Sequence, residues 1–111
     1  MSWNHSLEEK ITEGKVTIIR KFEVDFGKII IVFENSHTGK EKILRFSRVI
    51  NLHIKADCGV DYDSDMDVMA YRTLIGFGFI VLGKVYAYEI IVDDYIVELK
   101  CLNPVSFGIF E

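Results

Sequence analysis

The 111-residue chain carries 13 Lys/Arg against 17 Asp/Glu, a formal charge of -4, and half of its residues are hydrophobic. That length makes one domain, with enough burial for a core that stands without metal or disulfide staples. The longest nearly apolar run, TLIGFGFIVLG from Thr73 to Gly83, falls short of the roughly 18 to 20 residues that a membrane-spanning helix needs, so no membrane partner is expected.

The distribution of charge says more than its sum. Residues 1–55 hold ten Lys/Arg against seven Asp/Glu, whereas residues 56–98 hold two against nine. An acidic half-chain repels phosphate backbones and favours basic partners, which argues against nucleic-acid binding. A mean hydropathy of +0.21 is high for a small soluble protein and leaves room for an apolar cavity or an interface, a homo-oligomer included. Cys58 and Cys101 have no CxxC or zinc-type spacing and read as free thiols in a reducing compartment. The opening MSWNHSLEEK has neither a basic region nor an apolar signal core, so a cytoplasmic location is expected.

In chain order, SLEEKITEG carries helix signals. Ser6 and Glu9 have capping-box spacing, Leu7 and Ile11 share a face, and Gly14 offers a C-cap. From Lys15 onward the period changes to two. In KVTIIRKFEVD, Val16, Ile18, Phe22 and Val24 fall on one side of a half-buried strand, with Arg20 between them. A turn centred on Gly27 leads into the apolar strand 28–34, and NSHTGKE turns the chain into KILRFS. RVINLHIKA then places Ile50, Leu52 and Ile54 on one face, and the phase slip at Ser47-Arg48 predicts a bulge or corner.

Beyond Asp67, two hairpins are expected, turning at Gly83-Lys84 and at Asp93-Asp94. Tyr95, Val97 and Leu99 alternate against Ile96, Glu98 and Lys100, and after the break at Asn103-Pro104 a last short strand follows. The expected fold is mainly β: an antiparallel meander of seven or eight strands forming a small barrel or sandwich, with one short N-terminal helix. In GFGF, Phe77 and Phe79 project to one face, while Gly76 and Gly78 leave the other bare for a sharp bend or a neighbouring backbone or ring.

The stretch DYDSDMD, with Asp57 just upstream, carries the candidate site. Its D-x-D-x-D start invites a calcium reading, but an EF-hand loop needs Gly at position six and Glu at position twelve. Counted from Asp61 these positions are Met66 and Arg72, and from Asp63 they are Val68 and Leu74. No metal or other cofactor is therefore expected. An ordinary buried strand would not accept four aspartates on one face, which leaves a solvated loop, an edge defended by charge, or a docking surface for a basic partner. The docking reading assigns partner-binding roles to Asp57, Asp61, Tyr62, Asp63, Asp65, Asp67 and Tyr71, with the two tyrosines as anchors.

No catalytic residue is assigned, because His5, His37 and His53 are scattered and no phosphate loop or nucleophile elbow occurs. A third reading is nonetheless open, an enzyme using His53 and nearby carboxylates. An alternative to docking is a small apolar ligand held in a barrel interior lined by Phe77, Phe79, Tyr86 and Tyr88. The run KILRFSRVINLHI, an apolar strand with Phe46, a corner and a second strand, is similar to patterns in small β-rich bacterial immunity proteins of polymorphic toxin systems. That resemblance implies a non-catalytic immunity protein or inhibitor whose acidic side chains meet a basic toxin domain.

Overall fold

The computed structural model describes residues 3–56 and 70–110. The elements are α1 (Ser6–Thr12), β1 (Thr17–Asp25), β2 (Lys28–Asn35), β3 (Glu41–Phe46), β4 (Val49–Ala56), β5 (Leu74–Leu82), β6 (Val85–Val92), β7 (Tyr95–Cys101) and β8 (Ser106–Phe110). They form two antiparallel four-stranded sheets in the orders β1-β2-β3-β8 and β4-β7-β6-β5. The sheets face each other as a sandwich, and among the described residues no barrel closes. The up-and-down order runs through β1–β3 and β5–β7, while the chain changes sheet before β4 and again before β8.

Each connection follows from local chemistry. The first hairpin turns on Phe26 and Gly27, both left-handed at φ 36 and 76, with Asp25 paired to Lys28. Those signs are those of a type I′ turn, which suits the twist of its strands. In the next turn the Asn35 side chain accepts hydrogen bonds from the His37 and Thr38 N–H groups at 2.9 and 3.1 Å. The Ser47-Arg48 corner is present, with Arg48 at φ 52, and Leu102 N–H bonds the Arg48 carbonyl at 3.0 Å. Proline at 104, which has no N–H to continue a ladder, stands between β7 and β8.

Three details depart from the periodicity. The helix begins at Ser6 with His5 as its N-cap residue, and no side chain caps it. Instead the Asn4 side chain accepts the Ser6 N–H at 2.8 Å, and Glu8 turns away to bind β5. At the other end Glu13 rather than Gly14 takes the left-handed cap, its N–H bonding Glu9. In β1 the residues facing the core are Thr17, Ile19 and Phe22, because a bulge at Arg20 shifts the register between Ile19 and Lys21. That extra residue inverts the phase of the expected set before it, so Val16 is exposed and Ile18 only partly buried; beyond it Phe22 is buried as expected, while Val24, next to the hairpin turn, is exposed. A second shift, between Val49 and Asn51, pushes Ile50 out to 55% exposure, so of the predicted β4 face Ile54 is buried and Leu52 partly so.

The space between the sheets is filled by Phe33, Phe46, Phe77, Ile19, Ile29, Ile31, Leu44, Ile90 and Leu99. Tyr88 packs edge-on to Phe46 at 5.0 Å between centroids and lies 6.2 Å from both Phe77 and Phe79. Its hydroxyl accepts the Val105 N–H at 3.1 Å, and burial pushes its pKa up.

Seven residues are too few for an independent helix, so α1 is held by contacts. Ile11 is buried and Leu7 packs on the core. The Glu8 carboxylate accepts the Phe77 N–H at 2.7 Å, and His5 Nδ1–H donates to the Phe77 carbonyl at 3.1 Å. Asn4 pairs with Phe79, so the N-terminal arm covers the outer side of β5. The bare face of GFGF is therefore used as its glycines suggested. A Cβ on Gly78 would meet Trp3 at 2.9 Å and His5 at 3.2 Å.

Cys101 is fully buried at the end of β7, and burial raises its thiol to about 11. In a Cys58→Ser variant, this remaining thiol is expected to stay unreactive toward a thiol reagent at neutral pH until urea unfolds the chain. Full labelling of the native protein within minutes would contradict the packing. The same shift means that stability weakens as pH rises past the ordinary thiol value of 9.0, since the unfolded chain ionises first.

Candidate docking surface

Of the predicted partner-binding residues, Tyr71 lies among the described residues. Asp57, Asp61, Tyr62, Asp63, Asp65 and Asp67 lie outside them, as does Cys58. What the structure shows is how the two flanks of the acidic stretch are held.

Upstream, β4 ends at Ala56, paired with Tyr95 at the start of β7. Downstream, residues 71–73 return along the edge of β1 that β2 leaves free. Tyr71 N–H bonds the Ile19 carbonyl at 2.7 Å, and Ile19 N–H bonds the Arg72 carbonyl at 2.8 Å. Thr73 then meets the β6–β7 turn, its N–H bonding Asp93 Oδ1 at 2.7 Å while Asp93 N–H returns to its carbonyl at 3.1 Å. Arg72 donates to Asp94 at 2.9 Å and lies 4.9 Å from the Tyr95 ring centroid. Both flanks thus converge on Asp93, Asp94 and Tyr95. Read from sequence, Asp93-Asp94 was only a turn; its second role depends on a pairing 20 residues distant and has no local signature.

Tyr71 is 66% exposed and left-handed at φ 64, a conformation that costs a non-glycine residue free energy and persists only where neighbours impose it. Arg20, the bulge residue of β1, is one such neighbour. Its Nη1 donates to the Tyr71 hydroxyl at 3.0 Å, and its guanidinium lies 5.6 Å from the ring centroid. The bulge that disturbed the β1 pattern therefore aims the arginine that fixes this aromatic side chain. An exposed tyrosine already ordered in the free protein binds with less entropic loss.

Beside Tyr71 a shallow groove of about 630 Å³ crosses the outer face of the β1-β2-β3 sheet. Ile30, Val32 and Ile43 form its floor, with Arg20, Lys21, Glu23 and Glu41 around it. The pairs Lys21–Val32–Ile43 and Glu23–Ile30–Arg45 account for that layout. The signal was present in IIIVF: a strand apolar at every position has an apolar outer face as well as an inner one.

The other candidate chemistry is less assembled. His53 lies on the outer face of the second sheet, its side chain 43% exposed, 4.0 Å from Glu98. Glu98 is bonded to Lys55 at 2.8 Å, and that hydrogen bond holds its carboxyl below the usual range. Glu89 pairs directly with Glu98 across β6 and β7. A depression of about 370 Å³ on this face is lined by Trp3, Leu82, Glu89 and Glu98, and His53 stands outside that lining. Among the described residues, no three His, Cys, Asp or Glu side chains come together as metal ligands would.

Where a ligand-holding interior would lie, Phe77 and Tyr88 are packed into the core. A pocket of about 210 Å³ remains under α1, lined by residues including Leu7, Phe79, Tyr86 and Tyr88. Ordinary small-molecule pockets run to roughly 300–1,000 Å³. No described helix is long and apolar enough to cross a membrane. No protein-family model matches the chain, and no curated protein matches it either.

Proposed function

We propose that the chain is a non-catalytic protein-binding module that docks a basic protein partner through its acidic end. The observation that carries this reading is the convergence of both flanks of the Asp57–Asp67 stretch on Asp93 and Asp94, beside an exposed Tyr71 held by Arg20. The flanks of a stretch that carries five aspartates in sequence meet a turn that carries two more, and clustered carboxylates speed encounter with a basic surface and set its orientation. Tyr71 supplies the anchor that charge alone lacks. In its finer form, which rests on the resemblance of KILRFSRVINLHI, the partner is a toxin domain and this chain its immunity protein or inhibitor.

The test is a displayed random-peptide library selected on the immobilised protein. Lys/Arg-rich peptides are expected to bind through the acidic end. Replacing Asp61, Asp63, Asp65 and Asp67 together by Asn should leave the urea midpoint within error and weaken those peptides by about tenfold or more. Raising salt should do the same. Tyr71→Ala should cost about 1–2 kcal/mol of binding. Peptide binding indifferent to both the Asp substitutions and salt would refute the assignment.

A further inference from the structure

At the opposite end of β4 from the acidic stretch, the molecule presents a surface of the other sign. β4 runs from Val49 to Ala56, so its two ends lie roughly 23 Å apart at the rise of a strand. Where Ala56 leads into the aspartates, Val49 N–H bonds the carbonyl of Gly27 at 2.9 Å, fastening the β1–β2 turn to the start of β4. On either side of that contact stand Phe26, 100% exposed, and the bulged Ile50, and two residues before Phe26 stands Val24, 44% exposed.

The first central position of a type I′ turn favours Asn, Asp or Gly, which tolerate a left-handed backbone. Here a phenylalanine occupies it at φ 36. It gains nothing from burial and is costly in backbone conformation, so neither the core nor the turn accounts for it. A projecting ring on a turn tied down by its own backbone hydrogen bond has the form of a pre-ordered anchor.

The charges around it select the partner. Lys28 follows the turn, and Arg48 precedes the Val49 contact. The β5–β6 turn brings Lys84 to the same end, since Val49 pairs with Cys101 and Cys101 with Tyr86. All three are exposed and none of their side chains has a hydrogen-bond or ion-pair partner among the described residues; Asp25 is the one acid in these turns.

We infer that this end is a second docking surface, on which Phe26 enters an apolar pocket rimmed by carboxylates on an acidic protein partner, with Lys28, Arg48 and Lys84 facing the rim. A single ring with two aliphatic neighbours is too small an insertion to hold the protein on a bilayer, where even one acyl chain gives only marginal binding. A protein pocket that encloses the ring gains far more from it.

The same displayed library, selected on the wild type and counter-selected on Phe26→Asn, tests this independently of the acidic end. Phe26→Asn creates an Asn-Gly turn, so the variant is expected to unfold no earlier than wild type. Selected peptides should combine Asp/Glu with large apolar residues and bind Phe26→Asn at least about tenfold more weakly. The Lys28→Glu/Arg48→Glu variant should weaken them too, while the Asp→Asn variant of the acidic stretch should bind them unchanged. Selection of basic peptides, or affinity equal in the wild type and Phe26→Asn, overturns the inference. So does Phe26-dependent attachment to phosphatidylserine vesicles, or Phe26-dependent self-association in sedimentation of the protein alone.

Discussion

Phe77→Ala is expected to be among the most destabilising single substitutions in this chain, at about 3–5 kcal/mol. The ring is fully buried between the sheets, 6.2 Å from Tyr88. Its backbone is fixed independently of the ring, by Glu8 on its N–H and His5 on its carbonyl. The strand therefore cannot slide to close the space that the substitution opens, and the full cavity cost applies. Against a total stability of about 5–15 kcal/mol for a domain of this kind, the urea midpoint should fall by about a fifth or more with an unchanged slope. Phe77→Leu, which fills most of the volume, should cost less than half as much. A loss under about 1 kcal/mol for the alanine variant would mean that the ring is not packed at the centre of the core.

Lys42→Met should lower stability by about 2 kcal/mol, while Glu13→Gln should cost under about 1 kcal/mol. Lys42 stands on β3 with its side chain only 5% exposed. Its ammonium donates to the Lys10 carbonyl in the last turn of α1 and lies 3.3 Å from the Glu13 carboxylate. A cation at the C-terminus of a helix satisfies a carbonyl that the helix itself cannot, and it complements the helix dipole. Methionine keeps the apolar stem but leaves that carbonyl without its donor and α1 without its tie to the first sheet. Glu13 is 57% exposed, so water screens its half of the pair. Urea unfolding of the two variants separates the contributions. Equal losses would place the stabilisation in the ion pair instead of in the hydrogen bond to the helix end.

Much of the fold is a matter of local rules, and those parts are legible in the residues. The turns at Gly83-Lys84 and Asp93-Asp94 and the corner at Ser47-Arg48 stand where their residue types require. Period-two alternation set Tyr95, Val97 and Leu99 on one face of β7, and Val97 and Leu99 are buried there with Tyr95 partly so, because a strand without a bulge has only two faces. The same rule failed in β1 and β4 for one reason. A bulge adds a residue without changing the pattern of residue types, so Arg20 and Ile50 read as ordinary members of an alternating series.

Composition and spacing by themselves determined a small antiparallel β protein, a helix at its start, a net charge of −4 whose acidic residues outnumber basic ones nine to two over residues 56–98, and Tyr71 as a residue to watch. Which strands are neighbours was decided only in three dimensions. β4 lies against β7 and β8 against β3, pairings tens of residues apart whose register depends on the whole apolar pattern being buried at once. From those pairings come the meeting of Asp93 and Asp94 with both flanks of the acidic stretch, the arginine that orders Tyr71, and the placing of Phe26 beside Ile50 and Arg48. Short-range sterics and periodicity act within a few residues of each position. The surfaces that would meet a partner are assembled from residues that only the closed sandwich brings side by side.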